Sequence, residues 1–218
     1  MNDDAFAKKR SARKKRKAFW TKQFYAWHWI SSAVSLAGIL LFAITGITLN
    51  HAGQIPAVPK TTEKSLTLPE NLAAAVAMPA SPEDDREAPL PEDLAKWLGK
   101  EIRTPLKGRP AEWSEYEIYL GLPRPGGDAW LTIDRETSQV TYELTKRGSI
   151  SYLNDLHKGR HTGPVWSWFI DIFSVATVIF SLTGLALLWV HSRRRPSTWP
   201  IVAAGVLLPV ILIIFFIH

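Results

Sequence analysis

Six histidines carry most of the chemistry open to this chain: His28, His51, His157, His161, His191 and His218. None falls between residues 52 and 156. A neutral imidazole ligates metals through either ring nitrogen, and two imidazoles held at one level by facing helices form the axial set of a b-type haem. The spacing suits such a set. His28 and His51 bracket an apolar run at 27–51, His191 closes a second at 165–191, and His157 and His161 stand just before that second run. The chain has no cysteine, which excludes disulfides, thiolate metal sites, iron–sulfur clusters and covalent c-type haem attachment.

The elements that must position these histidines are membrane helices. Three apolar runs, 29–49, 166–190 and 199–217, are each long enough to cross a bilayer, since about 20 residues at roughly 1.5 Å rise span the hydrocarbon core. Eight Lys or Arg and no acid occupy residues 8–17, and Arg193, Arg194 and Arg195 follow the second run. Residues 52–156 carry 12 basic and 17 acidic side chains, a net of −5. Basic segments beside spans stay cytoplasmic. The pattern predicts a cytoplasmic N-terminus, residues 52–163 outside, and the arginine loop inside. The basic run reads as a topology signal and lipid anchor rather than a nucleic-acid site. The first span lacks a small-x-small cleavage pattern after it and reads as an uncleaved anchor.

Under that topology His28 and His191 share the inner face, while His51, His157, His161 and His218 share the outer one. The expected inner pair is His28 with His191. The outer pair is His51 with His157 or His161, and His218 reads as a terminal polar residue. Gly46 and Gly184 would let a porphyrin approach backbone, and Arg160, Lys158, Arg193 and Arg194 could pair with its propionates. Asp171 is the ionisable residue well inside a span, placed to orient a ligand histidine or carry protons. Thr45 and Thr183 are expected to bond back along their own helices. His28 and His51 are 23 residues apart, about 34 Å along a continuous helix, far for one direct electron step between two haems. The expectation is either two haems, with porphyrin edges and Trp or Phe side chains shortening the gap, or a single haem. The competing reading makes the histidines plain interfacial polar groups.

The expected organisation is a basic tail at 1–18, transmembrane helix 1 at 19–51, a Pro-rich tether at 52–91, an outer domain at 92–149, an interfacial connector at 150–163, helix 2 at 164–192, a loop at 193–198 and helix 3 at 199–218. Prolines 56, 59, 69, 79, 82, 89 and 91 mark the tether, with a short helix at 69–78. The outer domain predicts a helix at 92–102 on a three-stranded antiparallel meander, 113–120, 129–134 and 139–144, with turns at 123–127 and 134–138. It holds no histidine, no Ser/His pair and no glycine-rich phosphate loop, so no catalytic site is expected in it. The connector is amphipathic, and if helical it places His157 and His161 on one face. Pro209 should kink the third span. The first two spans also read as a weak inverted pair.

The segment LNDLHKGRHTGPVWSWFID at 153–171 resembles the PepSY-associated transmembrane family of bacterial inner-membrane proteins. So do the His28-bearing start of the first span, FAITG at 42–46, FSLTG at 180–184 and AWLTIDRETSQVTYEL at 129–144. The resemblance covers about residues 20–195. It implies a PepSY-like outer domain in the periplasm. Larger relatives, iron-regulated membrane proteins and ferric-siderophore reductases, carry haem b between histidine-bearing helices. That implies electron transfer with one or two haem b, a quinol or redox-protein donor, and a ferric siderophore as acceptor. The resemblance also favours His157 over His161 as a ligand. The chain departs from those relatives in having three spans, one short module, and Ser138 where the module's turn usually has glycine. The alternative expectation is a non-enzymatic membrane-anchored PepSY module that binds or regulates a partner protein or protease. A weaker one is metal binding by the outer histidines for transport. No nucleotide or flavin motif is present.

Overall fold

The computed structural model describes residues 3–77 and 85–217. The end of the expected 69–78 helix, part of the expected tether (78–84) and His218 lie outside the described residues. The chain forms two compact units, one of Met1–Leu41 with Trp168–His218 and one of Phe42–Ser167.

Among the described residues three helices are long and apolar enough to cross a membrane: α1 (Asp3–Asn50), α5 (Pro164–His191) and α6 (Thr198–Phe216). Neither α5 nor α6 has a buried residue, as expected of side chains that meet lipid rather than protein. The tail expected at 1–18 is not separate from the first span. From Asp3 onward it is helical and continues into α1 without a break. The run contains no proline, and its Ala, Lys and Arg are strong helix formers that extend a nucleus the apolar span already supplies. Pro209 lies inside α6.

In the first unit, α1 meets α5 through small residues. Ser31 and Ser35 are buried, and their hydroxyls donate to the carbonyls of Trp27 and Ser31, each at 2.7 Å. A Cβ on Gly38 would lie 2.4 Å from the Phe173 ring. Positions 31, 35 and 38 alternate four and three apart and so fall on one face. That face lets the helix backbones approach closely.

In the second unit a six-stranded antiparallel sheet has the order β1-β6-β5-β4-β3-β2. The strands are β1 (Lys60–Thr67), β2 (Arg86–Pro89), β3 (Pro110–Trp113), β4 (Glu117–Gly121), β5 (Gly127–Asp134) and β6 (Gln139–Lys146). The expected three-stranded meander is therefore corrected to six strands. The run expected as a single strand at 113–120 is a tight hairpin. Ser114 N–H bonds the Glu117 carbonyl at 2.9 Å and Glu117 N–H bonds the Ser114 hydroxyl at 3.1 Å. The two edge strands come from the expected tether. β1 reads KTTEKSLT, and polar, Lys-bearing residues suit an exposed edge. β2 pairs with β3 so that Pro89 faces Pro110, at an edge, where a missing N–H costs little. The tether also holds the short helix α2 (Glu70–Ala73).

Helix α3 (Glu92–Glu101) lays Leu94, Ala95 and Leu98 into the core with Ile118, Leu120, Leu131 and Ile133 of β4 and β5. The burial of β5 alternates along the strand, the mark of a sheet covered on one face. The 134–138 turn is held by Asp134 Oδ1, which accepts from Thr137 N–H at 2.7 Å and Glu136 N–H at 3.0 Å. The bond from the Thr137 backbone holds that carboxyl below its ordinary range. Ser138 takes φ +57°, the left-handed conformation for which glycine is the usual choice. Helix α4 (Ser149–Lys158) follows, ending on Gly159 in the left-handed region.

Candidate functional site

The FAITG and FSLTG segments are seats for histidines. In the first unit His28, on α1, stacks on Phe180 of α5 with centroids 4.7 Å apart. Its Nδ1 meets the Phe180 carbonyl and the Thr183 hydroxyl, each at 3.2 Å. Gly184 completes the seat, since a Cβ there would come within 3.2 Å of His28 Cε1. In the second unit His157, on α4, packs on Phe42 of α1 at 4.8 Å and meets the Thr45 hydroxyl through Nδ1 at 2.7 Å. Gly46 stands where a Cβ would lie 3.7 Å from His157 Cε1. Each seat uses the same Phe-x-x-Thr-Gly: the Phe ring flanks the imidazole, the Thr hydroxyl holds Nδ1, and the Gly leaves room for the ring.

Carbonyl partners constrain the histidine protons, and the threonine hydroxyls hold the rings. Thr183 Oγ1 donates to the Ile179 carbonyl at 2.7 Å and Thr45 Oγ1 to the Phe42 carbonyl at 3.3 Å, so both threonines bond back along their helices as expected. Thr183 Oγ1 thus accepts from His28 Nδ1–H, which the Phe180 carbonyl faces as well; between Thr45 Oγ1 and His157 Nδ1 either atom can donate. The other two membrane-end histidines are held locally. Nδ1 of His191 donates to the Leu187 carbonyl at 2.8 Å, and Nδ1 of His51 to the Ile47 carbonyl at 3.0 Å. A carbonyl only accepts, so in both a proton sits on Nδ1. Among the described residues Nε2 has no hydrogen-bond partner on His28, His51 or His157, while His191 Nε2 meets Tyr25 Oη at 3.2 Å.

His28 and His191, the expected inner pair, wall one cavity of about 520 Å³ with Gly184, Leu187, Arg194 and Arg195. The donor set fits a b-type haem once His191 Nε2 gives up Tyr25 Oη: two imidazoles on one cavity, an apolar wall, and guanidinium groups suited to propionates. For the expected outer set the structure is more selective. His157 takes the α1 seat. His51 is exposed, and among the described residues no hydrogen bond or ring contact joins it to His157 or His161. His161, at φ +56°, lines a different cavity. Arg160 stands 3.9 Å from the buried carboxylate of Asp155. Asp171 is exposed on α5 and is brought to no histidine. No group of three or more metal-binding side chains occurs among the described residues, and axial haem ligation would not require one.

A model of the PepSY_TM-like family matches residues 19–218. The chain belongs to that family. The match takes in the spans, the sheet unit and both histidine seats. No curated protein and no solved structure matches the chain. The residues that the sequence reading did not assign to the site are Phe42, Phe180 and Tyr25. The signal for Phe42 and Phe180 was present in the recurrence of Phe-x-x-Thr-Gly on two helices; Tyr25 lies outside that pattern.

Proposed function

We propose that this PepSY_TM-like protein is a b-type haem-binding electron-transfer protein of the bacterial inner membrane, with its N-terminus cytoplasmic and residues 52–163 periplasmic. The observation that carries the reading is that four membrane-end histidines engage Nδ1, three of them with Nε2 unpartnered among the described residues and the fourth, His191, with Nε2 on Tyr25 Oη, and that His28 and His191 wall one arginine-bearing cavity. The charge pattern, basic on both sides of the spans' inner ends and net acidic between them, supports the orientation.

His28 and His191 would hold the inner haem, and His157, with His51 or His161, an outer one. Haem would supply a one-electron couple. The chain's own part is to fix each ring by Nδ1, to line the site with apolar side chains, and to place Arg194 and Arg195 near it. Absent a nucleotide or flavin motif, a quinol or a redox protein is the donor that fits, and ferric chelates such as siderophores are the acceptor class.

The test is the reduced-minus-oxidised optical spectrum of the purified protein. A b-type signal is expected, with His28→Ala and His157→Ala each removing a separable part of it. A colourless, folded protein from haem-replete cells would reject the proposal and leave a membrane-anchored module that binds a partner protein.

A further inference from the structure

A second cavity, wholly within the sheet unit, belongs to neither histidine seat. It measures about 690 Å³ and is bounded by the 122–127 turn between β4 and β5, by Arg109 and Lys146, and by the start of α4, with Tyr152 and His161 completing its wall. Three cations, Arg109, Arg124 and Lys146, line it, and no Asp or Glu does. None of the three is ion-paired among the described residues. The Arg124 Nη2 reaches the Thr104 hydroxyl at 3.3 Å, and its Nε is buried without any hydrogen-bond partner. Arg109 donates from its Nε to the Pro105 carbonyl at 3.1 Å. The nearby Asp155 does not neutralise them, because it accepts from Gly126 N–H at 2.9 Å and pairs with Arg147 at 3.1 Å.

A buried guanidinium donor without an acceptor is a polar group waiting for a partner. Two arginines and a lysine facing one space select an anion, and the planar fork of arginine matches phosphate oxygens in pairs. The first turn of α4 adds to this. Gly148 offers no side-chain cap, so the helix's leading N–H groups also favour negative charge. His161 stands three residues before α5, a helix long and apolar enough to cross a membrane, so a lipid phosphate is one source of the anion.

We propose that this cavity binds a phosphate group, presented either by an anionic phospholipid headgroup or by a soluble phosphate compound. The cavity lies outside both histidine seats, and His161 is the one residue it shares with the proposed outer haem ligands.

The test uses the full-length protein in nanodiscs. In discs of phosphatidylcholine alone, inorganic pyrophosphate is titrated by calorimetry. In discs that include phosphatidylglycerol, native mass spectrometry counts retained phosphatidylglycerol. Binding in the first arm identifies a soluble ligand, and retention in the second alone identifies a lipid. Either result supports the proposal if Arg124→Gln weakens it about tenfold, the scale of one charge-assisted bond. Lys146→Gln, at an exposed position, serves as the second variant should Arg124→Gln not fold. No binding in either arm, or binding that survives both substitutions at full strength, overturns it.

Discussion

His28 and Thr183 lie 155 positions apart, and Nδ1 of the one meets Oγ1 of the other at 3.2 Å; His157 and Thr45, 112 apart, make the same contact at 2.7 Å. The hydroxyl is a relay of direction rather than of protons. It bonds back to its own helix and holds the imidazole through Nδ1, which fixes the ring plane. Groups placed this way behind a ligand histidine govern its orientation and basicity.

Thr183→Val and Thr45→Val should therefore act on haem without removing a ligand. Each loses the hydroxyl's bond to its histidine, about 1 kcal/mol, along with its bond back to its own helix; His157 loses its Nδ1 partner, whereas His28 keeps the Phe180 carbonyl. The expected result is about a tenfold or greater loss of haem affinity at the corresponding site, together with a shifted midpoint potential. The serine variants, which keep the hydroxyl, should restore both. Haem titration and redox potentiometry measure the two quantities. Unchanged values in Thr183→Val would show that the hydroxyl does not orient the ligand.

The glycines of the two seats make unequal demands. At Gly184 a Cβ would stand 3.2 Å from His28 Cε1, and at Gly46 a Cβ would stand 3.7 Å from His157 Cε1. The first distance is tight and the second is an ordinary contact. Gly46→Ala should leave the His157 seat intact, whereas Gly184→Ala should press the His28 ring out of line, and a valine there should do so more strongly, with overpacking costs of about 1–3 kcal/mol. Optical and paramagnetic-resonance spectra of the two alanine variants should differ accordingly. Equal effects would mean that the seats do not differ as their spacing suggests.

The parts of the fold legible in the sequence were those written in long-range periodicity. Three apolar runs gave three helices, and the 92–102 pattern gave α3 because Leu94 and Leu98 recur on one face. The edges were not legible, for a physical reason. An edge strand such as β1 buries little, with only Leu66 among its residues packing on the core, so it carries no apolar alternation. The prolines that mark a tether also sit comfortably at edges. For the site, the histidines stood out because composition isolates them. The receptor half of each seat was visible as a repeated pentapeptide, but its meaning depends on pairings across more than a hundred residues, which local reading cannot supply. The basic cavity is hidden for the same reason: Arg109, Arg124 and Lys146 lie on separate segments, far apart in sequence.

The placement of α4 should control the His157 seat. Asp155, buried on that helix, accepts from Gly126 N–H at 2.9 Å and from Arg147 at 3.1 Å. Gly126 itself takes φ +70°, and a Cβ there would fall 2.6 Å from Tyr152 Cβ and 2.7 Å from Tyr152 Cα. Those are atoms at the root of a helix residue, not the tip of a flexible chain, so Gly126→Ala forces α4 to move as well as straining the turn. A destabilisation of about 3 kcal/mol or more is expected from strain and overpacking together. Asp155→Ala removes the carboxylate and leaves Arg147 without its partner. Because that arginine is 38% exposed, water can recover part of its solvation, and the loss should be about 2 kcal/mol, below the range for a fully buried pair. Both variants should lower the melting temperature of the sheet unit. Both should also weaken the part of the haem signal that depends on His157 and spare the part that depends on His28. Loss of both parts together, with the protein still folded, would count against separate seats.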